Sequence, residues 1–443
     1  MRSSKRQAVV SGLGPNGVLA ALELLSRDFE VTVVEKRPDY IRPIHLHLRA
    51  TYLQDVMRLS PELYRRLLSI ATPIEENSRV ETTAPEPVPN EIRDRRAATR
   101  EGAACPVWSR LSTSPERHVR LDNTERLYYD YLQEVAAQPS SGLNIKRGSE
   151  LSLELGRDGF YEVLLQDTSS HEQDDLGAPD VIVIAEGGKS TTVQTLGLES
   201  VRFSYPKYFM SAHVPVPFGP RTRRIDTDVR ELARDPGTAP ADVSLWASGH
   251  GDSGEGTWIV LEVPEALLNQ EPKQAEEYFL KGTLLLMSEP GRQVSGEQLR
   301  ERLEATFRRG ALLGRKRGAS LPEMEEASRT TFAGTFKFEQ QCLRYPAAGK
   351  NVVVLGDAAG MGHHALASGL EMGACDLQPL GKLCAGLQGG RPPRECIDEY
   401  AEAVFYFRLK LLGMGMNEYY PDAAAGRLRM LQRAAEIFTE EPS

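Results

Sequence analysis

Short apolar runs of strand length recur along this chain, separated by amphipathic stretches. Ala8-Val9-Val10-Ser11, Glu-Val-Thr-Val-Val-Glu at 30–35, Val-Ile-Val-Ile-Ala at 181–185 and Val-Val-Val-Leu at 352–355 show little alternation, which is the pattern of strands buried on both faces of a parallel sheet. Residues 18–25 are apolar on most of their surface, as a helix packed on such a sheet would be. Helical spacing predicts further helices over 52–70 (Leu53, Val56, Met57, Leu59, Leu63, Leu67) and 121–137 (Leu127, Tyr131, Leu132). A third spans 394–412 (Tyr400, Val404, Phe407, Leu411), broken by Gly413-Met414-Gly415-Met416, and 424–439 reads as a final helix. Alternation at Leu151, Leu153 and Leu155, a turn at Arg157-Asp158-Gly159 and a return over 160–165 predict a hairpin, followed by a polar excursion at 171–177.

The middle of the chain predicts strands at 208–216, 243–247 and 257–263 and helices at 272–287 and 296–309. Gly249 to Gly256 reads as a long hairpin loop, since it lacks the Gly-Lys-Ser/Thr ending of a phosphate loop. Residues 71–106, with Pro73, Pro85, Pro87 and Pro89 among charges, read as loop or insertion.

Chemistry enters at the first strand–helix junction. Gly12-Leu13-Gly14-Pro15-Asn16-Gly17 fits G-x-G-x-x-G between a strand and a helix. Gly12 permits the sharp turn, Gly14 lets backbone approach a pyrophosphate, and Gly17 lets the helix lie close to the strand. The helix N-terminus offers unpaired N–H groups and a partial positive charge to phosphates. Glu35 ends the second strand 18 residues after Gly17, where an acid accepts hydrogen bonds from ribose hydroxyls. Strand, turn, helix, strand and acid together predict a dinucleotide site.

The 443-residue chain is long enough for two or three domains, and its 40% apolar and 26% charged composition is that of a soluble globular protein. Its net charge of −9 argues against a nucleic-acid or anionic-membrane partner. No apolar run approaches a membrane span, and the basic start is followed by a strand rather than a signal sequence. The five cysteines form no C-x-x-C pair, which suits free thiols in a reducing cytoplasm.

The glycine turn together with Glu35-Lys36-Arg37, Arg42 and Leu46-His47-Leu48 resembles the flavin monooxygenase domain of MICAL proteins, and more distantly the p-hydroxybenzoate hydroxylase class of FAD monooxygenases. The match runs without a gap over fourteen residues, Glu35 to Leu48. Two departures stand nearby: the Trp that follows Leu-His-Leu in the MICAL type is Arg49 here, and the two preceding Asn are Pro43 and Ile44. A second motif, Gly356-Asp357-Ala358-Ala359, then Gly369 and Asp376 at 13 and 20 residues from Gly356, resembles the Gly-Asp segment of the same enzymes. There the usual loop proline is His364 and the usual Asn after the last glycine is Glu371. Glu186-Gly187-Gly188 takes the place of an Ala-Asp-Gly segment that contacts flavin and NAD(P)H, and Gln194 replaces an Arg.

The resemblance implies an α/β fold: a Rossmann-like FAD-binding domain of the glutathione reductase/p-hydroxybenzoate hydroxylase type (residues 1–200 and 339–390), a mixed-sheet substrate domain (201–338) and C-terminal helices (391–443). It implies FAD held along Gly12, Gly14, Pro15, Asn16, Gly17, Glu35, Lys36, Arg37, Arg42, Gly356, Asp357, Gly369 and Leu370. Asp357 would bind the ribityl hydroxyls, and the helix starting near Gly369 would aim its positive end at the flavin pyrimidine edge. An arginine opening the 121–137 helix often contacts the flavin, for which Arg126 and Arg120 are the candidates.

The activity implied is a monooxygenase in which NAD(P)H reduces FAD, O2 forms a C4a-hydroperoxide, and one oxygen passes to a small aromatic or polyketide-like substrate, in a monomer or homodimer. His45, His47, His363 and His364 lie in the segments that flank the flavin. They offer either proton transfer at the substrate or structural hydrogen bonds. No carboxylate or Cys at ligand spacing supports a metal there. Rival readings are a flavin halogenase, whose Trp-x-Trp-x-Ile-Pro segment is missing because Trp108, Trp246 and Trp258 are far apart, and a reductase or oxidative cyclase, to which Gly360 after Gly-Asp-Ala-Ala is similar. A non-enzymatic flavin-binding protein is the third class.

Overall fold

The computed structural model describes residues 5–39, 45–73, 115–214, 222–227, 243–249, 257–263, 334–361 and 369–419. Strand β1 (Gln7–Ser11) opens a six-stranded sheet at its centre. Helix α1 (Pro15–Ser26) returns the chain to β2 (Glu30–Glu35), parallel to β1 on one side. The chain then passes through β3 (His45–Arg49), α2 (Ala50–Leu59), α3 (Pro61–Ile70), β4 (Thr72–Pro73), β5 (Pro115–Arg120) and α4 (Leu121–Ala136) before β6 (Leu143–Arg147) joins the outer edge of β2.

A three-stranded antiparallel sheet, β7 (Ser149–Leu155), β8 (Tyr161–Asp167) and β9 (Gln173–Gly177), precedes β10 (Val181–Ile184), which pairs with β1 on its other side. A short helix, α5 (Thr191–Thr195), follows. The order is thus β16-β17-β10-β1-β2-β6, where β16 (Ala347–Ala348) is antiparallel to β17 (Val352–Val354) and the other five strands are parallel. The chain runs outward from β1 in both directions, so β1 and β10 form the topological switch point, at whose carboxyl ends open parallel sheets bind ligands.

A second sheet is antiparallel throughout: β12 (Thr222–Thr227), β13 (Val243–Gly249), β14 (Thr257–Val263), β11 (Ser200–Val214), β15 (Gly334–Leu343) and β18 (Gly360–Met361), in that order. The two sheets are joined within a few residues, because the chain leaving β17 enters β18 and pairs Gly360 with Cys342 of β15. Helices α6 (Gly369–Gln388) and α7 (Pro393–Tyr419) close the described chain and pack on each other.

The core forms where the sequence is apolar on both faces. Val10, Val33, Val183 and Val353, side by side in register, are fully buried, and α1 packs on β1, β2 and β10. Each such side chain contributes about 1.5–3 kcal/mol by leaving water.

The expected strands of the parallel sheet, the 149–167 hairpin and the 257–263 strand all form. Several expectations are corrected. The single helix expected over 52–70 is two, broken at Ser60-Pro61: Pro61 cannot continue α2, and Ser60 accepts a hydrogen bond from Leu63 N (3.0 Å) to start α3. The polar excursion at 171–177 contains β9, whose exposed residues hide its pairing with β8. The strand expected from 208 begins at Ser200, and β12 is an addition to the expected strands.

Gly413-Met414-Gly415-Met416 does not break the last helix, which runs on to Tyr419. Two glycines cost about 1 kcal/mol each in a helix interior. A helix already nucleated and anchored by buried Tyr400, Phe405 and Phe407 propagates through them. The expected helices at 272–287, 296–309 and 424–439, and most of the 71–106 segment, lie outside the described residues.

Candidate cofactor site

At the carboxyl end of β1 the backbone turns at Gly12 with φ +103°, a conformation L side chains rarely adopt. A Cβ on Gly12 would lie 2.5 Å from the Ala185 carbonyl oxygen, and one on Gly17 would lie 1.9 Å from the Gly12 carbonyl oxygen. Both glycines are therefore required by the protein's own packing. Gly14 is not: its φ is −71°, and a Cβ there meets only Glu125 Oε1, at 4.0 Å. The one glycine of the turn that the fold does not need faces open space at the N-terminus of α1, where a phosphate would be held.

Glu35 ends β2 beside this turn, 4% exposed. Its carboxylate accepts hydrogen bonds from Leu13 N (2.9 Å), Arg37 N (2.9 Å) and Arg37 Nε (2.9 Å), with Arg37 Nη2 at 3.1 Å. Burial pushes this carboxyl up, but the Arg37 guanidinium and the two backbone N–H groups outweigh burial and hold it below the usual carboxylate value. Arg37 also reaches Glu125 Oε1 (3.4 Å), a fully buried carboxylate on α4.

Asn16 bridges the two halves of the site. Its amide lies where a Cβ on Gly373 of α6 would be, 2.0 Å from that position, and 3.0 Å from the Cβ position of Gly356. Its Oδ1 is buried and has no hydrogen-bond partner. Gly356 turns with φ +67° directly after β17, and Asp357 places Oδ1 3.5 Å from where Gly369, the first residue of α6, would carry a Cβ. Glycines at 12, 17, 356 and 373 thus bring two helix N-termini and the ends of three strands together around Asn16, with a carboxylate at each end. A dinucleotide of the FAD type fits this arrangement: there is room at Gly14, and a buried acceptor at Asn16 lacks a donor.

Behind Gly356 sits a buried ion pair. Arg408 of α7 donates to Asp376 of α6 and to the carbonyls of Gly356 (3.0 Å) and Gly360 (3.4 Å), while Gly356 N donates to the same Asp376 oxygen (2.9 Å). Burial raises the Asp376 carboxyl to about 6, against the lowering effect of Arg408.

Glu186 is turned into the fold. Ser11 Oγ (2.5 Å), Thr192 Oγ1 (2.7 Å), Ser190 Oγ (2.6 Å) and Thr192 N (3.3 Å) all donate to its carboxylate. The extra methylene relative to Asp lets it tie β1 to the start of α5, and these four bonds fill its acceptor positions.

His47 on β3 lies edge-on to His118 of β5, ring centroids 4.4 Å apart, at the register His47↔His118. His363, His364 and Arg42 lie outside the described residues, and only the backbone of His45 is described, paired with Arg120. Arg120 is buried and forks onto Asp122 (2.6 and 3.1 Å), whereas Arg126 is half-exposed, 3.9 Å from Asp39. Lys36 is exposed, 3.7 Å from Glu150.

Glu125, His118 and Arg408 join the site without having been expected there. Glu125 had a signal, since Leu121, Glu125, Tyr128 and Leu132 share one helical face and a carboxylate on that stripe is conspicuous. His118 had none, because Pro-Glu-Arg-His-Val-Arg shows no strand alternation.

Among the described residues, no helix is long and apolar enough to cross a membrane, and no cluster of His, Cys, Asp or Glu could hold a metal ion. Cys342, Cys375, Cys384 and Cys396 are buried. No protein-family model matches the chain, and no curated protein matches it either. Solved structures do. The chain is similar to the tetrameric form of 2-methyl-3-hydroxypyridine-5-carboxylic acid oxygenase (16% identity, TM-score 0.55, 96% of this chain and 92% of that one). It is also similar to p-nitrophenol 4-monooxygenase PnpA from Pseudomonas putida DLL-E4 (13%, 0.58, 98% and 94%) and to CmlS, a flavin-dependent halogenase (13%, 0.58, 93% and 64%). These similarities show that the fold is the one expected: a Rossmann-like α/β unit with a second sheet and C-terminal helices.

Proposed function

We propose that this chain is an FAD-dependent monooxygenase that uses NAD(P)H and O2 to oxygenate a small aromatic or polyketide-like molecule. The observation that carries the reading is the cradle around Asn16, with open space at Gly14 and carboxylates Glu35 and Asp357 at its two ends. Its neighbours in fold include two aromatic-ring oxygenases by name, and the fourteen-residue match from Glu35 to Leu48 supports a MICAL-like flavin edge. The halogenase reading lacks its tryptophan segment.

In this reading FAD supplies the electron transfer and oxygen activation, and the chain supplies binding, orientation and water exclusion. The N–H groups at the start of α1 and the backbone of Gly14 would hold the pyrophosphate, and Glu35 would accept from the adenosine ribose in exchange for an Arg37 side-chain hydrogen bond that now occupies its carboxylate. Asp357 would accept from the ribityl hydroxyls, and the positive end of α6 would favour negative charge on the isoalloxazine. Asn16, whose Oδ1 is buried without a donor, would accept one from the cofactor where it packs against Gly356 and Gly373. His47 is the described histidine that would hold or move a proton near the substrate, with His118 against its ring.

Glu186 supports a second reading. With its acceptor positions taken by Ser11, Ser190 and Thr192, it is not presented to a second nucleotide. This favours a flavoenzyme on the same fold that is not reduced by NAD(P)H in the usual way, such as an oxidative cyclase.

Stopped-flow absorbance of the FAD-loaded protein separates the two. Anaerobic bleaching by NADPH or NADH, followed by an absorbing oxygen adduct on mixing with O2, is expected for the monooxygenase. Bound flavin that neither nicotinamide reduces would overturn it and leave the cyclase. A chain that retains no FAD would overturn both.

A further inference from the structure

One face of α6 carries three of the contacts around the cradle. Gly369, Gly373 and Asp376 are spaced i, i+4 and i+7 on that helix. Gly369 adjoins Asp357, Gly373 adjoins Asn16, and Asp376 accepts a hydrogen bond from Gly356 N (2.9 Å). Helix α7 reaches the same stretch of chain twice. Tyr400 donates to the Val354 carbonyl (2.9 Å) at the end of β17. About two turns further along, Arg408 donates to the carbonyls of Gly356 (3.0 Å) and Gly360 (3.4 Å) as well as to Asp376.

Arg408 is 2% exposed, and its donors are aimed at backbone on both sides of Asp357. A guanidinium presents its N–H groups in a fixed fork, which lets one side chain bridge two carbonyls and a carboxylate. The seat is tight. A Cβ on Gly360 would lie 2.8 Å from the Gln341 carbonyl oxygen and 3.4 Å from Arg408 Cδ. Glycine at 360, the feature similar to the reductases, is therefore accounted for by packing against β15 and Arg408. Stability alone does not account for the pair, because a buried ion pair is often matched by apolar side chains of the same volume. Apolar side chains could not hold Gly356 N, Gly356 O and Gly360 O.

We propose that Arg408 is a positioning residue for the cofactor: with Asp376 it fixes the Gly356–Gly360 turn, and so the backbone that presents Asp357. This rests on the flavin reading above. A helix outside the cradle then orders the turn before FAD arrives, and preorganisation of this kind raises affinity by removing an ordering cost from the binding step. Without the fork the turn must be ordered as the cofactor binds. Ordering one residue of backbone lowers affinity about tenfold.

The test pairs the melting temperature of the full-length apo protein with its FAD affinity by equilibrium dialysis, in wild type, Arg408→Met and the Asp376→Leu/Arg408→Met double variant. The double variant is expected to regain much of the melting temperature that R408M loses, yet to bind FAD about tenfold more weakly than wild type. A merely structural role would not separate the two readouts. If affinity follows melting temperature and returns to within about twofold of wild type in the double variant, Arg408 acts through stability alone. The proposal is then overturned while the flavin reading stands. Should the double variant not fold, Arg408→Lys takes its place, since an ammonium keeps the charge beside Asp376 but cannot occupy both positions of the fork. Binding about tenfold weaker in R408K supports the proposal, and binding within about twofold of wild type overturns it. A wild-type chain that retains no FAD overturns both the proposal and the flavin reading.

Discussion

Replacing Arg408 by Met removes the only cation among the described residues in contact with Asp376. It leaves a carboxylate, 1% exposed, held there by Gly356 N alone. Breaking a buried pair by removing one partner costs about 3–5 kcal/mol, most of it the penalty of the charge left behind. Here the loss is compounded locally, because Arg408 also donates to the carbonyls of Gly356 and Gly360, the two ends of the turn that carries Asp357. At the sensitivity of a domain of roughly 150–250 residues, this corresponds to a melting temperature lower by roughly 6–20 °C. Differential scanning calorimetry of the apo protein measures it, and amide hydrogen exchange over residues 352–361 locates it. Exchange should rise there more than in β1 or β2. The double change Asp376→Leu/Arg408→Met should recover much of the loss, since a buried pair replaced by apolar side chains is often neutral. A loss under about 2 °C in R408M, or a double variant worse than the single, would refute the reasoning that a stranded charge is what costs stability.

Two further predictions follow from the turn and from Glu35. Gly17→Ala should destabilise the apo protein severely, its Cβ being forced against the Gly12 carbonyl. Gly14→Ala should leave the apo melting temperature within about 1 °C, given its φ in the range open to any residue, and weaken FAD binding at least tenfold by equilibrium dialysis. Equal effects of the two on apo stability would contradict the division of roles. For Glu35, the folded carboxyl titrates below its usual 4.5, so its stabilising contribution is complete above that value and disappears as pH falls through the lower folded one. Arg37→Met leaves burial as the dominant influence and reverses that shift. The gap in melting temperature between wild type and R37M should therefore be widest near neutral pH and close as pH drops below 4.5, whereas a gap constant from about pH 3 to about pH 7 would show that Arg37 acts without the Glu35 charge.

What could be read from the residues alone was what neighbouring residues decide among themselves. The strand–turn–helix–strand from Gln7 to Glu35 was legible because its constraints are local. A positive φ at Gly12, a helix lying on its own preceding turn at Gly17 and an acid closing the next strand all act within about thirty residues. The Gly356-Asp357 turn was read instead from its resemblance to a known motif. Features set by partners far apart in sequence were not. Nothing near Arg408 announces that it will meet Asp376 under Gly356, and nothing in Arg49 and Glu371 taken singly shows that the two will come within ion-pair distance. Glu186, which by sequence only departs from a motif, proves to be a clamp once Ser11 and Thr192 are brought beside it. The last helix crosses Gly413 and Gly415 because burial of its earlier turns outweighs a local propensity. Periodicity and glycine positions determined the elements and the place of the glycine turns around Asn16. Long-range packing decided which charges are buried together, since burial energy belongs to pairs of surfaces and no single segment carries it.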